Sequence, residues 1–133
     1  MTPRAELSVP PDTVIIVDDD PAVRNSLKFS LEIEGFKARV YASAEELLST
    51  EELAQCSCLV IDQRLSGMSG LDLVAALRGR HVAAPAILIT SHPSMALRQW
   101  AAKSEVQIVE KPLLGNTLID KIHEVIGNCR KHT

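Results

Sequence analysis

Short apolar runs recur along this chain, each followed by a longer stretch in which apolar residues return every three or four positions. Val14-Ile15-Ile16-Val17, Cys58-Leu59-Val60-Ile61 and Ala86-Ile87-Leu88-Ile89 are continuous runs too short for a helix. Such runs read as strands buried on both faces. Two weaker strands are expected, one from Ala38 to Ala42 centred on Val40 and Tyr41, the other from Val106 to Val109. Between the strands lie helical patterns. Asp20-Pro21 is an N-cap followed by proline at the first helical position. The helix it opens carries Val23, Leu27 and Leu31 on one face, with Ile33 and Phe36 nearby, and stops at Gly35. Ser43-Ala44-Glu45-Glu46 is a capping box for a second helix, expected to run through about Leu53. A third follows a loop bracketed by Gly67 and Gly70 and turns Leu71, Val74 and Leu77 inward. A fourth is expected from about Ser94 to Lys103. The last, from about Asn116 to Cys129, carries Leu118, Ile122, Val125 and Ile126 on one stripe.

Five strand–helix repeats of this kind predict an α/β fold with a parallel sheet covered on both faces. Right-handed crossovers leave few topologies. The expected one is a doubly wound five-stranded sheet in the order 2-1-3-4-5, with its ligand crevice between strands 1 and 3 at the carboxyl edge. Residues 1–13, with Pro3, Pro10 and Pro11, read as a flexible lead-in, residues 14–129 as the folded domain and residues 130–133 as a tail.

Composition narrows the functional classes. The chain has 133 residues, the size of one domain. Hydrophobic residues make up 46 % and charged residues 23 %, which argues for an ordered globule, and aromatics at 3 % require an aliphatic core. A net charge of −3 argues against direct nucleic-acid binding by this chain. No apolar run approaches the roughly 20 residues of a membrane span. Cys56, Cys58 and Cys129 are odd in number and follow no secretory signal, so they read as reduced thiols in a cytoplasmic protein. His81, His92, His123 and His132 lack ligand spacing and read as surface or loop residues.

The strand ends carry the chemistry. Strand 1 ends in Asp18-Asp19-Asp20, strand 3 in Asp62 and strand 4 in Thr90-Ser91, and strand 5 is followed by Lys111-Pro112. In a parallel sheet these ends share one edge. Two carboxylates about 4 Å apart repel by roughly 1 kcal/mol in water and about 4 at an effective dielectric near 20. A cation relieves this, and an all-oxygen site with open positions suits Mg²⁺. Asp20 reads chiefly as a helix cap. Asp18, Asp19 and Asp62 arrive from independent strands and read as a site.

With these motifs in order, Val-Asp18-Asp19-Asp20-Pro, Ile61-Asp62-Gln-Arg-Leu-Ser-Gly67-Met-Ser-Gly70-Leu-Asp, Ile-Thr90-Ser91 and Glu110-Lys111-Pro112, the chain resembles the receiver domains of bacterial two-component response regulators over about residues 13–128. Ser43 to Leu48 and the Glu-Lys-Pro ending most resemble the nitrogen-fixation-regulator branch. The resemblance implies the flavodoxin-like receiver fold. It implies that Asp62 is the phosphoacceptor, that Asp19, Asp62 and the Arg64 carbonyl hold Mg²⁺ directly with Asp18 acting through water, and that Thr90 and Lys111 meet the phosphoryl group. A cis Lys111–Pro112 bond goes with it. The implied partners are a sensor histidine kinase or phosphotransfer protein and a DNA-binding output domain outside this chain, with a homodimer through the helix 4–strand 5–helix 5 face. Such a domain is not an enzyme beyond its own phosphorylation and dephosphorylation. The chain departs from the family pattern at Ser66, at the short Thr90-to-Lys111 spacing with His92-Pro93 in its loop, at Ser104-Glu105 and at Ile108.

Three other readings compete. A phosphohydrolase using Asp18-x-Asp20 would need a further acidic pair after the lysine, where only Asp120 appears. A flavin or nucleotide binder would want a glycine- or hydroxyl-rich phosphate loop after strand 1, and three aspartates stand there instead. A receiver-like interaction module that is never phosphorylated is the remaining alternative.

Overall fold

In a computed structural model, described over residues 12–50, 56–113 and 115–131, the strands are β1 (Thr13–Val17), β2 (Lys37–Tyr41), β3 (Cys58–Asp62), β4 (Ala86–Thr90) and β5 (Gln107–Glu110). All pair in parallel in the order β2-β1-β3-β4-β5, as the repeat pattern predicts. The continuous apolar runs are the three central strands, and every apolar residue in Val14–Val17, Cys58–Ile61 and Ala86–Ile89 is buried. The edge strands β2 and β5 are only partly buried and mix polar with apolar residues.

The helices are α1 (Pro21–Ile33), α2 (Ala44–Leu48), α3 (Gly70–Gly79), α4 (Met95–Lys103) and α5 (Thr117–Lys131). Because successive strand residues face opposite sides, the sheet divides the interior in two. Ile15, Val17, Leu59, Ile61 and Leu88 pack with Leu47, Leu73, Leu77 and Leu97 of α2, α3 and α4. Val14, Ile16, Val60, Ile87 and Ile89 pack with Leu31 of α1 and with Leu118, Ile122, Val125 and Ile126 of α5. Each fully buried Leu or Ile contributes about 1.5–3 kcal/mol of transfer free energy.

Side-chain caps start α1 to α4. Asp20 Oδ1 accepts from Ala22 N at 2.9 Å, Ser43 Oγ from Glu46 N at 3.1 Å, Ser69 Oγ from Asp72 N at 3.1 Å and Ser94 Oγ from Leu97 N at 3.0 Å. The second helix is shorter than the expected reach to Leu53: α2 stops at Leu48, with Ser49 as its C-cap and Thr50 outside the helix. Residues 51–55, most of the lead-in, and residues 132–133 of the tail lie outside the described residues. Ile33 does not join the buried face of α1. It is 67 % exposed, as is Phe29, because two helical residues apart from Leu31 is roughly 200° around the axis.

Three helices end alike. The N–H of Phe36, Val82 and Val106 donates to the carbonyl five residues back, on Leu31, Leu77 and Ala101. The residue before each is left-handed: Gly35 at φ +94, His81 at φ +66 and Glu105 at φ +58. Glycine takes this conformation freely, whereas His81 and Glu105 do so against their Cβ.

Candidate functional site

β1 and β3 end within one residue of each other. Val17 is in register with Ile61, so Asp18 and Asp62 leave the sheet side by side. They are 1 % and 5 % exposed, the buried charged residues among those described, and carboxylate oxygens of Asp18, Asp19 and Asp62 lie within 4.8 Å of one another. Asp19 is exposed at the next position. Asp20 caps α1, as its sequence position indicates.

Asp18 is fixed on three sides. Its N–H donates to the Tyr41 carbonyl at 3.2 Å, its Oδ1 accepts from Asp20 N at 2.9 Å and its carbonyl accepts from Arg24 Nη1 at 2.8 Å. Among the described residues, its Oδ2 is the buried side-chain oxygen with no hydrogen-bond partner. Burial pushes the Asp18 carboxyl above its ordinary value. The Asp20 N–H opposes this, Asp62 adds to it, and Lys111 and Asp19 contribute smaller effects of opposite sign.

Asp62 is held through both oxygens. Oδ1 accepts from Arg64 N at 3.2 Å and Oδ2 from Lys111 Nζ at 3.3 Å. Lys111 follows directly on β5, where Thr90 is in register with Glu110 and the Lys111 N–H donates to the Thr90 carbonyl at 3.0 Å. The Lys111–Pro112 peptide bond is cis. Thr90, at the end of β4, lines the same cleft of about 910 Å³ as Asp62, Arg64, Met68, His92 and Lys111.

The donor set suits a hard divalent cation. It consists of carboxylate oxygens, one of them buried and unpartnered, converging from two strands. Leaving such an oxygen without a partner is costly, and carboxylate donors with room for water match Mg²⁺.

Sequence reasoning missed three residues here. Arg24 reaches back from α1 to the acidic turn. Gln63 closes the loop between β3 and α3, its carbonyl accepting from Gly70 N and its Oε1 from Leu71 N, both at 2.9 Å. His92, read as an ordinary loop histidine, lines the cleft. None belongs to a hydrophobic period, and only the polar side chain of Gln63 directly after Asp62 hinted at a local bond. At Gly70, a Cβ would come within 2.7 Å of the Asp62 carbonyl oxygen, so that position needs glycine.

Comparison with known proteins agrees with this arrangement. A model of the response regulator receiver domain matches residues 14–123. The C4-dicarboxylate transport transcriptional regulatory protein DctR of Rhodobacter capsulatus is 38 % identical over 111 residues, which cover 81 % of this chain and 56 % of DctR. The transcriptional regulatory protein FixJ of Rhizobium meliloti is 36 % identical over 111 residues, covering 83 % of this chain and 54 % of FixJ. The chain thus spans about half the length of these curated relatives. Among solved structures, FixJ-N superposes with a TM-score of 0.73 at 33 % identity, covering 88 % of this chain and 94 % of that one. A CheY-like receiver domain from Methanospirillum hungatei gives 0.83 at 25 % identity, covering 92 % and 99 %. With the sheet order, the paired aspartates and the lysine after β5 in the places such a fold provides, the chain belongs to the response regulator receiver domains, alongside the FixJ- and DctR-type regulators.

Proposed function

We propose that this receiver takes a phosphoryl group onto Asp62 from a phosphohistidine of a sensor histidine kinase or phosphotransfer protein. The observation that carries the reading is the position of Asp62, buried at its base, bonded to Lys111 and open to the cleft. A carboxylate oxygen of Asp62 attacks phosphorus, and the P–O bond forms as the P–N bond breaks. The electron pair returns to the imidazole nitrogen, leaving an acyl phosphate on Asp62. The Arg64 N–H orients the attacking carboxylate. The Lys111 ammonium neutralises charge brought in with the phosphoryl group, and the Thr90 hydroxyl donates to one of its oxygens. Asp18, Asp19, Asp62 and the Arg64 carbonyl would hold Mg²⁺, which when bound supplies further positive charge to the phosphoryl oxygens. Attack of water on the acyl phosphate resets the domain.

DctR and FixJ are transcriptional regulators by name. On that basis the whole protein regulates transcription through a DNA-binding domain outside this chain. The same reading includes a cytoplasmic location and, by the family resemblance alone, a homodimer through the α4–β5–α5 face. No helix among the described residues is long and apolar enough to cross a membrane.

The test is incubation with acetyl phosphate and Mg²⁺, read by intact mass. One phosphoryl group is expected, absent in Asp62→Asn, with weakened metal binding in Asp19→Asn. Undiminished labelling of Asp62→Asn would move the site. A wild type unlabelled by both acetyl phosphate and a cognate kinase would favour an interaction module instead.

A further inference from the structure

Arg24 braces the turn that carries the acidic residues. Its backbone N–H donates to the Asp20 carbonyl at 3.0 Å, and its Nη1 donates to the Asp18 carbonyl at 2.8 Å. One residue therefore grips both ends of the three-residue segment Asp18-Asp19-Asp20. The geometry follows from the helix, in which side chains lean toward the N-terminus, so a long side chain one turn into α1 reaches back over the segment before it. Pro21 fixes φ between the turn and the helix, so the brace acts across a short and stiff link. Asp19 stands exposed at the middle of the turn, and its place depends on how the two ends are held.

We propose that Arg24 is a positioning residue for the cation site: by clamping the Asp18 carbonyl it holds Asp18 and Asp19 where they can share one divalent cation with Asp62. The proposal rests on reading the Asp18, Asp19 and Asp62 cluster as that site. It acts against electrostatics. A guanidinium close to the acidic turn repels an arriving cation, so if charge were its main effect, removing it would tighten binding. If it only tethered α1, removing it would lower stability and leave binding alone. A positioning role has the opposite sign from the first and a different readout from the second. Half-burial of Arg24 beside β1 keeps its hydrogen bond to the carbonyl from being freely exchanged with water. Removing groups that orient metal ligands commonly weakens metal binding about 10- to 100-fold.

The experiment uses the full chain with Mg²⁺ followed by calorimetry and Mn²⁺ by electron paramagnetic resonance, in wild type, Arg24→Gln and Arg24→Lys. Melting temperatures are taken in EDTA. Arg24→Gln is expected to weaken Mg²⁺ binding by about tenfold and to broaden the bound-Mn²⁺ spectrum, with the metal-free melting temperature close to wild type. Arg24→Lys, which retains a donor for the same carbonyl, is expected to recover most of the affinity. Unchanged affinity with a lowered melting temperature would reduce Arg24 to a tether for α1. Tighter binding in Arg24→Gln would make it a mere charge, and a lysine variant as weak as glutamine would exclude the hydrogen bond as the cause. Each of these overturns the proposal while leaving the cation site standing. A wild type that binds neither ion removes the site and the proposal together.

Discussion

Asp18 and Asp62 are neighbours at the ends of adjacent strands, both buried, and only one of them has a cation within bonding distance. Lys111 lies 3.3 Å from Asp62, whereas Asp18 Oδ2 has no partner. Burial of the Asp18 carboxyl is thus less compensated than that of Asp62, and the sign of its effect on stability follows. The Asp18 carboxyl titrates above its ordinary value, chiefly through burial. As pH rises from the ordinary carboxylate range toward that raised value, the unfolded chain gives up the proton first and the folded state loses stability. In metal-free buffer near neutrality, Asp18→Asn is expected to raise the urea midpoint, and adding Mg²⁺ is expected to stabilise the wild type but not Asp18→Asn to the same degree. A lower midpoint for Asp18→Asn in EDTA would show that the ionised carboxylate is stabilising.

Gly70 brings the start of α3 against the backbone of Asp62. A methyl group there meets the Asp62 carbonyl oxygen at 2.7 Å, and Gln63 Cα and Leu88 Cδ2 at 3.0 Å. Two of these atoms are backbone and cannot swing away. Gly70→Ala is expected to cost about 1–3 kcal/mol, the usual range for overpacking, and to reduce phosphorylation by shifting Asp62. Urea unfolding followed through Trp100, the single tryptophan, checks the first part. Wild-type stability would mean that the β3–α3 loop recedes without cost.

Glu105 holds φ +58 at the end of α4, where α1 uses Gly35 at φ +94 for the same bond pattern. An L-residue with a Cβ pays about 1–2 kcal/mol for this conformation, part of which glycine gives back through unfolded-state entropy. Glu105→Gly is therefore expected to stabilise the domain by about 0.5–1 kcal/mol, measured by chemical unfolding. Destabilisation would mean that the exposed Glu105 side chain has a favourable interaction outweighing the strain.

Cys58 is fully buried in β3, and burial pushes its thiol up to about 12, with Cys56 adding to the effect. The unfolded chain releases this proton at lower pH than the folded one, so stability should fall as pH rises from the usual thiol range toward 12, by up to about 1.4 kcal/mol per pH unit for one proton. Cys58→Ala should flatten that slope while costing stability at neutral pH. Under native conditions a thiol reagent should leave Cys58 unmodified until the domain unfolds. Rapid labelling of Cys58 in the folded protein would contradict this.

Much of this architecture is legible in residue order because the central strands are buried on both faces. Val14 to Val17, Cys58 to Ile61 and Ala86 to Ile89 can hardly form anything else at their length. The candidate site was legible for the same reason, since Asp62 and Thr90 end a strand, and Asp18 and Lys111 directly follow one, whose direction is fixed by its neighbours. Helix faces were harder. On α1 the spacing of Val23, Leu27 and Leu31 marks the buried face, but Phe29 and Ile33, also four apart, are large apolar residues that stay exposed. The polar braces were hidden for another reason. Arg24, Gln63 and Arg78, whose Nη1 donates to the Val82 and Ala84 carbonyls, serve loop carbonyls or N–H groups whose position exists only once the chain has turned.

The site's parts come from β1, β3, β4 and the end of β5, and β5 is an edge strand of four residues. The acidic residues belong to the middle of the sheet and the ammonium to its rim. Loosening of the rim alone would carry Lys111 away and leave Asp18, Asp19 and Asp62 in place, still able to hold a cation but without the fixed charge that neighbours Asp62. On the proposed function, cation retention and phosphoryl transfer would depend on different depths of the fold, and a short edge strand would set whether the second can occur.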